Sequence, residues 1–216
     1  MHSSADRFAR ELENELGVAL KVAISSEAVA VDRLSPKEQL HLGELATSPR
    51  KLSWLKSRSA LKRLLSSLGE DEETEGIGFP NPRFSLTHSG NFAVALGTAS
   101  AELRGIGVDL EVNRPVRSET ARFFLGASEQ AWLMGFDESL RTKNLLRLWT
   151  IKEALFKSDP RNLERWFTDY RIEAPAAVTG RAFVLGEEAQ EFRYFCFEIE
   201  EGYLSVAVLP RSKNDA

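Results

Sequence analysis

The chain has 216 residues, of which 43% are hydrophobic, and a formal net charge of −4. This length suits one large domain or two small ones, and the hydrophobic share exceeds that of a disordered chain. The acidic balance argues against a protein that binds nucleic acid through its overall charge. Its single cysteine, Cys196, cannot form an internal disulfide and lies in an aromatic run, so we expect a buried, inert thiol in a reducing cytosol.

The sequence shows no sign of export or membrane insertion. Residues 1–7 contain no apolar signal core, and no stretch reaches the ~18 apolar residues of a membrane span. We therefore expect a cytoplasmic protein with neither a membrane nor a nucleic-acid partner.

Periodicity and turn signals define the elements of the first part of the chain. They predict a helix over 5–16, a strand over 18–24, a second helix that starts at Ser35 and a third helix over 53–68. An acidic loop over 70–75 and two hairpin strands over 84–87 and 92–96 follow. The helix start at Ser35 is indicated by serine, Pro36 and Glu38 in the order typical of a capped first turn.

The second part of the chain has a similar pattern. It predicts a strand over 105–112, helices over 118–124, 128–133 and 140–157, and strands over 183–185, 192–199 and 203–209. A faint repeat accompanies this pattern, because Trp54 and Lys62 are spaced by eight residues, as are Trp149 and Lys157. In that alignment Arg58 occupies the position of Glu153, so each half is predicted as a helix followed by antiparallel strands.

Two carboxylates lie on the strand over 105–112. Asp109 and Glu111 alternate with apolar residues and so share one strand face, with Cα atoms roughly 7 Å apart. Like charges so placed repel unless a cation lies near them, and Mg²⁺ prefers oxygen ligands. The alternative is an exposed strand edge whose acids face water.

The helix over 140–157 adds a third carboxylate and a cation. Trp149, Glu153 and Lys157 follow one another at intervals of four and form one stripe. Glu153 could be a metal ligand or a general base, and Lys157 could neutralise a departing phosphate. The alternative is an ordinary surface ion pair between Glu153 and Lys157.

The turn over 87–90 combines Thr87, His88, a serine and a glycine. Hydroxyls, an imidazole and a flexible backbone can present hydrogen-bond donors to a phosphate. The alternative is a turn with a half-exposed histidine. The basic residues near the helix over 53–68 are expected on a solvated face, with Arg58 as the exception because of its place in the repeat.

The motifs Phe84–Ser89, 107–111 and 149–157, in this order and spacing, resemble those of the 4′-phosphopantetheinyl transferase superfamily. The chain length resembles the longer, surfactin-synthetase-type branch. The resemblance implies an α+β fold, a pseudo-dimer of two similar α+β halves over 1–113 and 114–216, with the active site between them. It also implies a monomer, because such a chain completes its own site.

The resemblance implies an enzyme that transfers the phosphopantetheine arm of coenzyme A to a serine of an apo carrier protein. Adenosine 3′,5′-bisphosphate would be released. The metal ligands for Mg²⁺, or Mn²⁺, would be Asp109, Glu111 and Glu153. The catalytic residues would be Glu153 as the base, Lys157 at the leaving phosphate, and His88. Coenzyme A would be held by Arg50, Arg58, Thr87, His88, Asp109, Glu153 and Lys157.

Two departures and two alternatives accompany this hypothesis. The family often has Gly-Lys-Pro before its histidine motif, whereas residues 78–83 contain no lysine, and Arg83 is the candidate replacement. The residues after Lys157 also lack the glycine-containing loop of the family. The alternatives are a metal-dependent phosphodiesterase or nuclease and a non-catalytic binder of coenzyme A or carrier proteins. Which carrier is used stays open, and the basic residues considered for docking it are Arg141, Lys143 and Arg147.

Overall fold

The computed structural model describes residues 4–114 and 116–211 and shows an α+β fold with two antiparallel sheets. The helices are α1 (Ser4–Leu16), α2 (Pro36–Glu44), α3 (Ser48–Ser67), α4 (Ala127–Leu133) and α5 (Glu138–Ser158). The strands are β1 (Lys21–Ser25), β2 (Phe84–Ser89), β3 (Phe92–Gly97), β4 (Leu103–Val112), β5 (Tyr170–Ile172), β6 (Thr179–Val184), β7 (Glu187–Ile199) and β8 (Gly202–Pro210). None of these helices combines the length and the hydropathy needed to cross a membrane.

The two sheets share one connectivity. The smaller sheet has the order β1-β3-β2, and the larger has the order β4-β8-β7-β6-β5. In each, a strand precedes a long helix, a hairpin follows, and the last hairpin strand pairs between the other two. We call β1, α3, β2 and β3 the first unit and β4, α5, β7 and β8 the second unit. The predicted α+β fold with two similar halves is confirmed at the level of this topology.

The boundary of the halves stays a prediction. The expected division after residue 113 assigns β4 to the first half, whereas β4 pairs with β8 along the whole strand, from Leu103 opposite Pro210 to Val112 opposite Gly202. In the topological repeat, β4 therefore corresponds to β1.

The helix starts follow from local capping. The backbone N–H of Glu38 donates to the Ser35 hydroxyl at 3.2 Å, and Glu38 accepts from the Ser35 N–H at 3.1 Å, which confirms the predicted capping box. The next helix, α3, begins five residues earlier than predicted, because the Thr47 hydroxyl caps it by accepting from the Arg50 N–H at 3.4 Å. A threonine with a proline two residues later was the available signal for that start.

Three apolar clusters hold the layers together. One cluster packs α3 on the first sheet, and another packs α5 on the larger sheet. The third lies between the sheets and contains Val94 of β3 and Val206 of β8, with Leu12 of α1 covering it. Alternation along each strand explains this arrangement, since successive side chains point to opposite faces. The two sheets thus form the inner layers, with α3 and α5 outside them.

The predicted state of Cys196 is confirmed. Its side chain lies in the cluster beneath α5 and forms no disulfide. Burial raises the pKa of the thiol to about 11, so at neutral pH it is protonated and unreactive.

Candidate functional site

The two faces of β4 separate apolar from acidic side chains. Ile106, Val108 and Leu110 point into the cluster between the sheets. Asp109 and Glu111 point to the other face, where α5 packs, and each is only 5% exposed. The predicted separation is confirmed, and the alternative of acids facing open water is wrong.

Glycines on β4 permit the close approach of α5. A Cβ atom at Gly107 would lie 1.9 Å from the Ala154 carbonyl oxygen, and one at Gly105 would lie 2.0 Å from the Ser158 carbonyl oxygen. Both distances are shorter than any non-bonded contact allows, so larger residues would push the helix away. The glycines therefore let the backbone of α5 at Ala154 and Ser158 pack directly on the strand.

Asp109 is held from both neighbouring elements. Lys157 Nζ lies 2.7 Å from its Oδ1, and the Thr87 hydroxyl donates to the same oxygen at 3.2 Å. Lys157 also donates to the Val108 carbonyl oxygen at 3.2 Å. The Asp109 Oδ2 atom is buried and has no hydrogen-bond partner among the described residues.

Glu111 has three partners. Its Oε1 accepts from Arg114 at 2.8 Å and from the indole Nε1 of Trp149 at 3.1 Å, and the Ser89 hydroxyl donates to Oε2 at 3.4 Å. The Trp149 ring packs edge-on against Phe124, with centroids 5.0 Å apart. The tryptophan of the helix motif thus orients the second acid of the strand motif.

Hydroxyls of β2 join the first unit to β4. The backbone N–H groups of Val108, Leu110 and Val112 donate to the hydroxyls of Ser85, Thr87 and Ser89 at 3.0, 3.2 and 3.0 Å. These bonds satisfy the free edge of β4 in place of another strand. They also place Thr87 against Asp109. The alternating hydroxyls of β2 are the sequence signal for this junction, which the sequence analysis did not predict.

Glu153 titrates near neutrality. Burial, together with the charges of Asp109 and Glu111, raises its pKa to about 7, and the charge of Lys157 opposes this rise. Two nearby carboxylates and partial desolvation both favour the protonated form. The ion pair that Lys157 makes is with Asp109, which differs from the simple surface pair considered as an alternative.

His88 belongs to the same electrostatic group. Partial burial of the ring and the Lys157 charge lower its pKa, and Asp109 and Glu111 act in the opposite direction. The structure therefore brings together the residues of all three sequence motifs. The acids of β4 and the helix α5 both belong to the second unit, and the first unit contributes through β2.

The residue types of this site suit a divalent cation, but their side chains are not arranged as a metal site in this structure. Three carboxylates share this site, and the buried Oδ2 of Asp109 lacks a hydrogen-bond partner within the described ranges. As they are placed, no three acidic, histidine or cysteine side chains in residues 4–114 and 116–211 form a cluster that could hold a metal ion. Magnesium binding by Asp109, Glu111 and Glu153 stays a prediction.

Two of the basic residues considered for coenzyme A, Arg58 and Arg83, have partners within the protein. Arg50 is exposed in the first turn of α3, and Arg58 contacts Trp54, Glu38 and the Thr74 carbonyl oxygen. Arg83 lies before β2, where it pairs with Glu70. Their roles in holding coenzyme A stay predictions.

One buried ion pair was missed in the sequence. Lys152 and Glu129 are both fully buried and lie 2.8 Å apart, with burial lowering the lysine pKa against the opposing effect of Glu129. Within the helical motif, the apolar neighbours of Lys152 were the only signal of its burial.

Arg147 does not belong to an exposed basic patch. It is 5% exposed and donates to the carbonyl oxygens of Pro175 and Ala177, beneath the ring of Trp132. It therefore holds the loop before β6 and is corrected from a candidate docking residue to a structural one.

Comparison with known proteins agrees with the motifs. Residues 105–208, just under half of the chain, match the family model of the 4′-phosphopantetheinyl transferase superfamily. The matched segment begins on β4 and ends on β8, so it spans the second unit and includes both acids of β4 and the whole of α5.

Two curated relatives carry the same family description. The chain is 27% identical over 84 residues to 4′-phosphopantetheinyl transferase Sfp of Bacillus subtilis strain 168, covering 39% of this chain and 36% of that protein. It is 25% identical over 128 residues to 4′-phosphopantetheinyl transferase ffp of Bacillus subtilis, covering 57% and 53%. The aligned regions thus span about a third to a half of these relatives.

Solved structures with some likeness are holo-[acyl-carrier-protein] synthases. The Thermotoga maritima protein has a TM-score of 0.43 at 23% identity, covering 51% of this chain and 66% of that chain. The Bacillus anthracis protein, in complex with CoA (3′,5′-ADP), has a TM-score of 0.42 at 21% identity, covering 52% and 100%.

Proposed function

We propose that this protein is a 4′-phosphopantetheinyl transferase of the longer, surfactin-synthetase-type branch. It transfers the phosphopantetheine arm of coenzyme A to a serine hydroxyl of an apo acyl or peptidyl carrier protein. The observation that carries the proposal is the meeting of Glu153 and Lys157 with Asp109, beside Thr87 and His88. The similarity of residues 105–208 to the superfamily supports it.

The reaction breaks one phosphoanhydride bond and forms one phosphoester bond. The serine oxygen attacks the phosphorus that bears the pantetheine arm, and the bond from that phosphorus to the oxygen of adenosine 3′,5′-bisphosphate breaks. A serine hydroxyl is a weak nucleophile, so a base must take its proton. Glu153 suits this role, because a pKa of about 7 leaves much of it ionised at neutral pH, yet basic enough to accept a proton.

Charge accumulates on the phosphate oxygens as the bond breaks. Lys157 can place its ammonium group against the leaving phosphate, since its side chain is 28% exposed beside Asp109. Thr87 donates to Asp109, and His88 lies near enough to Lys157 and the two acids of β4 for their charges to shift its pKa, so we propose that both residues contact the phosphates of coenzyme A. A divalent ion held by Asp109, Glu111 and Glu153 would supply further neutralisation of the pyrophosphate.

A groove beside the acids offers room for an extended chain. It has a volume of about 310 Å³, and Arg114, Leu146 and Tyr203 are among the residues that line it. Because Arg114 also binds Glu111, the groove opens next to the candidate site. We propose that the pantetheine arm or the serine loop of the carrier enters here. We further propose that the protein is a cytoplasmic monomer.

The test is the mass of a carrier protein. The protein is incubated with coenzyme A, Mg²⁺ and purified apo carriers of the fatty-acid, polyketide and peptide types, and each carrier is weighed by mass spectrometry. We expect at least one carrier to gain one phosphopantetheine unit, with loss of the gain in chelator. No gain on any carrier would contradict the proposal. Cleavage of plain DNA would favour a nuclease, and coenzyme A binding without transfer would favour a non-catalytic binder.

A further inference from the structure

The buried pair of Lys152 and Glu129 is the centre of a hydrogen-bond network that joins three elements. Both side chains are 0% exposed, and Lys152 Nζ lies 2.8 Å from Glu129 Oε2. Glu129 also accepts from the backbone N–H of Gly126 at 2.7 Å and of Ile172 at 3.0 Å, and Lys152 donates to the Tyr170 carbonyl oxygen. The pair therefore links α4, α5 and the outer side of β5.

The backbone bonds of the pair replace a missing strand. β5 has β6 as its partner on one side only, at the end of the larger sheet. On its other side, the Tyr170 carbonyl and the Ile172 N–H are satisfied by Lys152 and Glu129. Because these partners belong to rigid elements, the ammonium group of Lys152 has one position at which all contacts are made.

Stability alone does not explain this pair. Burying two charges costs free energy that their attraction often fails to recover, and apolar residues of similar size are commonly as stable or more so. A polar network differs from an apolar contact in being directional. The apolar residues of α5, among them Leu148, Ile151 and Leu155, bury surface without defining one rotation of the helix.

Lys152 and Glu153 are neighbours on α5, so their side chains are separated by about 100° around the helix axis. Lys152 points into the core, and Glu153 and Lys157 point toward β4. The close approach at Gly107 sets the distance between helix and strand. A separate contact is needed to set rotation, and the ion pair is placed to do so.

We propose that Lys152 is a positioning residue that, through its buried pair with Glu129, sets the rotation of α5 at which Glu153 and Lys157 face Asp109. The kinetic part of this inference rests on the proposed function. Its structural part does not, because the Trp149 indole N–H, which donates to Glu111, reports the same rotation.

The test compares Lys152→Met with the double variant Lys152→Met/Glu129→Gln, in which neither side chain carries a charge. The single variant leaves the buried Glu129 carboxylate without its cation, so we expect a strongly lowered melting temperature. In the double variant this pair buries no charge, and we expect part of that loss to be recovered. We expect the folded double variant to show a kcat lowered about 10- to 100-fold, with little change in the KM for coenzyme A. The control is Leu12→Ala, which destabilises the cluster under α1 and should leave kcat unchanged.

The second readout is the ¹⁵N–¹H resonance of the Trp149 indole, assigned with Trp149→Phe. It should shift in the double variant and stay in place in Leu12→Ala. A double variant with wild-type kcat and an unmoved resonance would overturn the inference. If neither Lys152 variant folds and Leu12→Ala does, the pair serves only to stabilise the fold, and this result would also overturn the inference. If the wild-type protein modifies no carrier, the proposed function fails, and the resonance alone decides the inference.

Discussion

The long helices of the two units carry the same spacing of residues but use it differently. On α3, the Arg58 guanidinium lies 5.0 Å from the Trp54 ring centroid. Arg58 and Lys62 each lie 3.8 Å from the buried carboxylate of Glu38. Two cations of α3 thus surround one acid of α2, and positive charge is in excess there.

On α5, the corresponding stripe meets an excess of negative charge. Lys157 pairs with Asp109, Trp149 binds Glu111, and Glu153 lies close enough to both acids for its pKa to rise to about 7. An excess of carboxylates in a half-buried site favours a cation or a proton. The comparison teaches that one supersecondary arrangement holds an ion cluster in the first unit and an acid-rich candidate site in the second.

The largest expected difference between the units is catalytic. Glu153→Gln removes the proposed base and should lower kcat for phosphopantetheine transfer about 100- to 10,000-fold, with the fold retained. The matched change in the first unit, Arg58→Gln, should raise the KM for coenzyme A and change kcat far less. Steady-state kinetics with an apo carrier measure both. An equal loss of kcat in the two variants would show that the units do not divide their roles in this way.

Glycine substitutions test how tightly each unit packs. Gly107→Ala places a methyl group 1.9 Å from the Ala154 carbonyl oxygen, and helix and strand must separate. We expect a loss of unfolding free energy of about 3 kcal/mol or more. In the first unit, Gly97→Ala meets the flexible Leu64 side chain at 2.9 Å and should cost about 1 kcal/mol or less.

Denaturant unfolding followed by circular dichroism gives both values. Equal costs for Gly107→Ala and Gly97→Ala would mean that α5 can move away from β4 as easily as a leucine changes rotamer.

The pH dependence of stability should differ in sign between the units. In the folded protein the pKa of Glu153 is raised from 4.5 to about 7, so the folded state holds this proton more tightly. Its contribution to stability is fully present below about pH 4.5 and is lost as the pH rises through about 7. With a chelator present to remove metal ions, we expect this loss of unfolding free energy to be about 1–3 kcal/mol. Unfolding of wild type and Glu153→Gln across this range should show a smaller decline in the variant. Parallel curves would exclude the raised pKa.

Glu38 of α2, which pairs with Arg58 and Lys62 of the first unit, should act in the opposite direction. Burial alone would raise its pKa, but hydrogen bonds from Thr74 and Ser35 and the charges of Lys62 and Arg58 outweigh it and lower the pKa. Its stabilisation is present above the ordinary value of 4.5 and is lost as the pH falls through the lowered pKa. Glu38→Gln should cost about 1–3 kcal/mol at neutral pH without changing kcat. A fall in kcat would connect this cluster to the site.

The candidate site was predictable where chemistry and spacing reside in short motifs. Alternation placed Asp109 and Glu111 on one face of a strand, and intervals of four placed Glu153 and Lys157 on one side of a helix. The start of α2 was predictable for the same reason, since the Ser35 cap is made by residues three apart.

Other features depend on contacts between distant segments, and local patterns do not encode them. Whether Lys157 pairs with Glu153 or with Asp109, 48 residues away, depends on how closely α5 packs on β4. The burial of Arg147 depends on the loop over 174–178, and the hydroxyls of β2 serve the β4 edge only because the two sheets meet there.

The sequence alone determined the long helices, the strands other than β5 and most of β6, and the identity of the reactive groups, because periodicity and residue chemistry act over a few residues. Their charge states and partners were decided by the packing of the two units, since burial and neighbouring charges shift a pKa only after the chain has folded. Lys152 and Glu153 show this most clearly. Adjacent in sequence, one is a buried structural cation and the other a half-buried acid with a pKa of about 7.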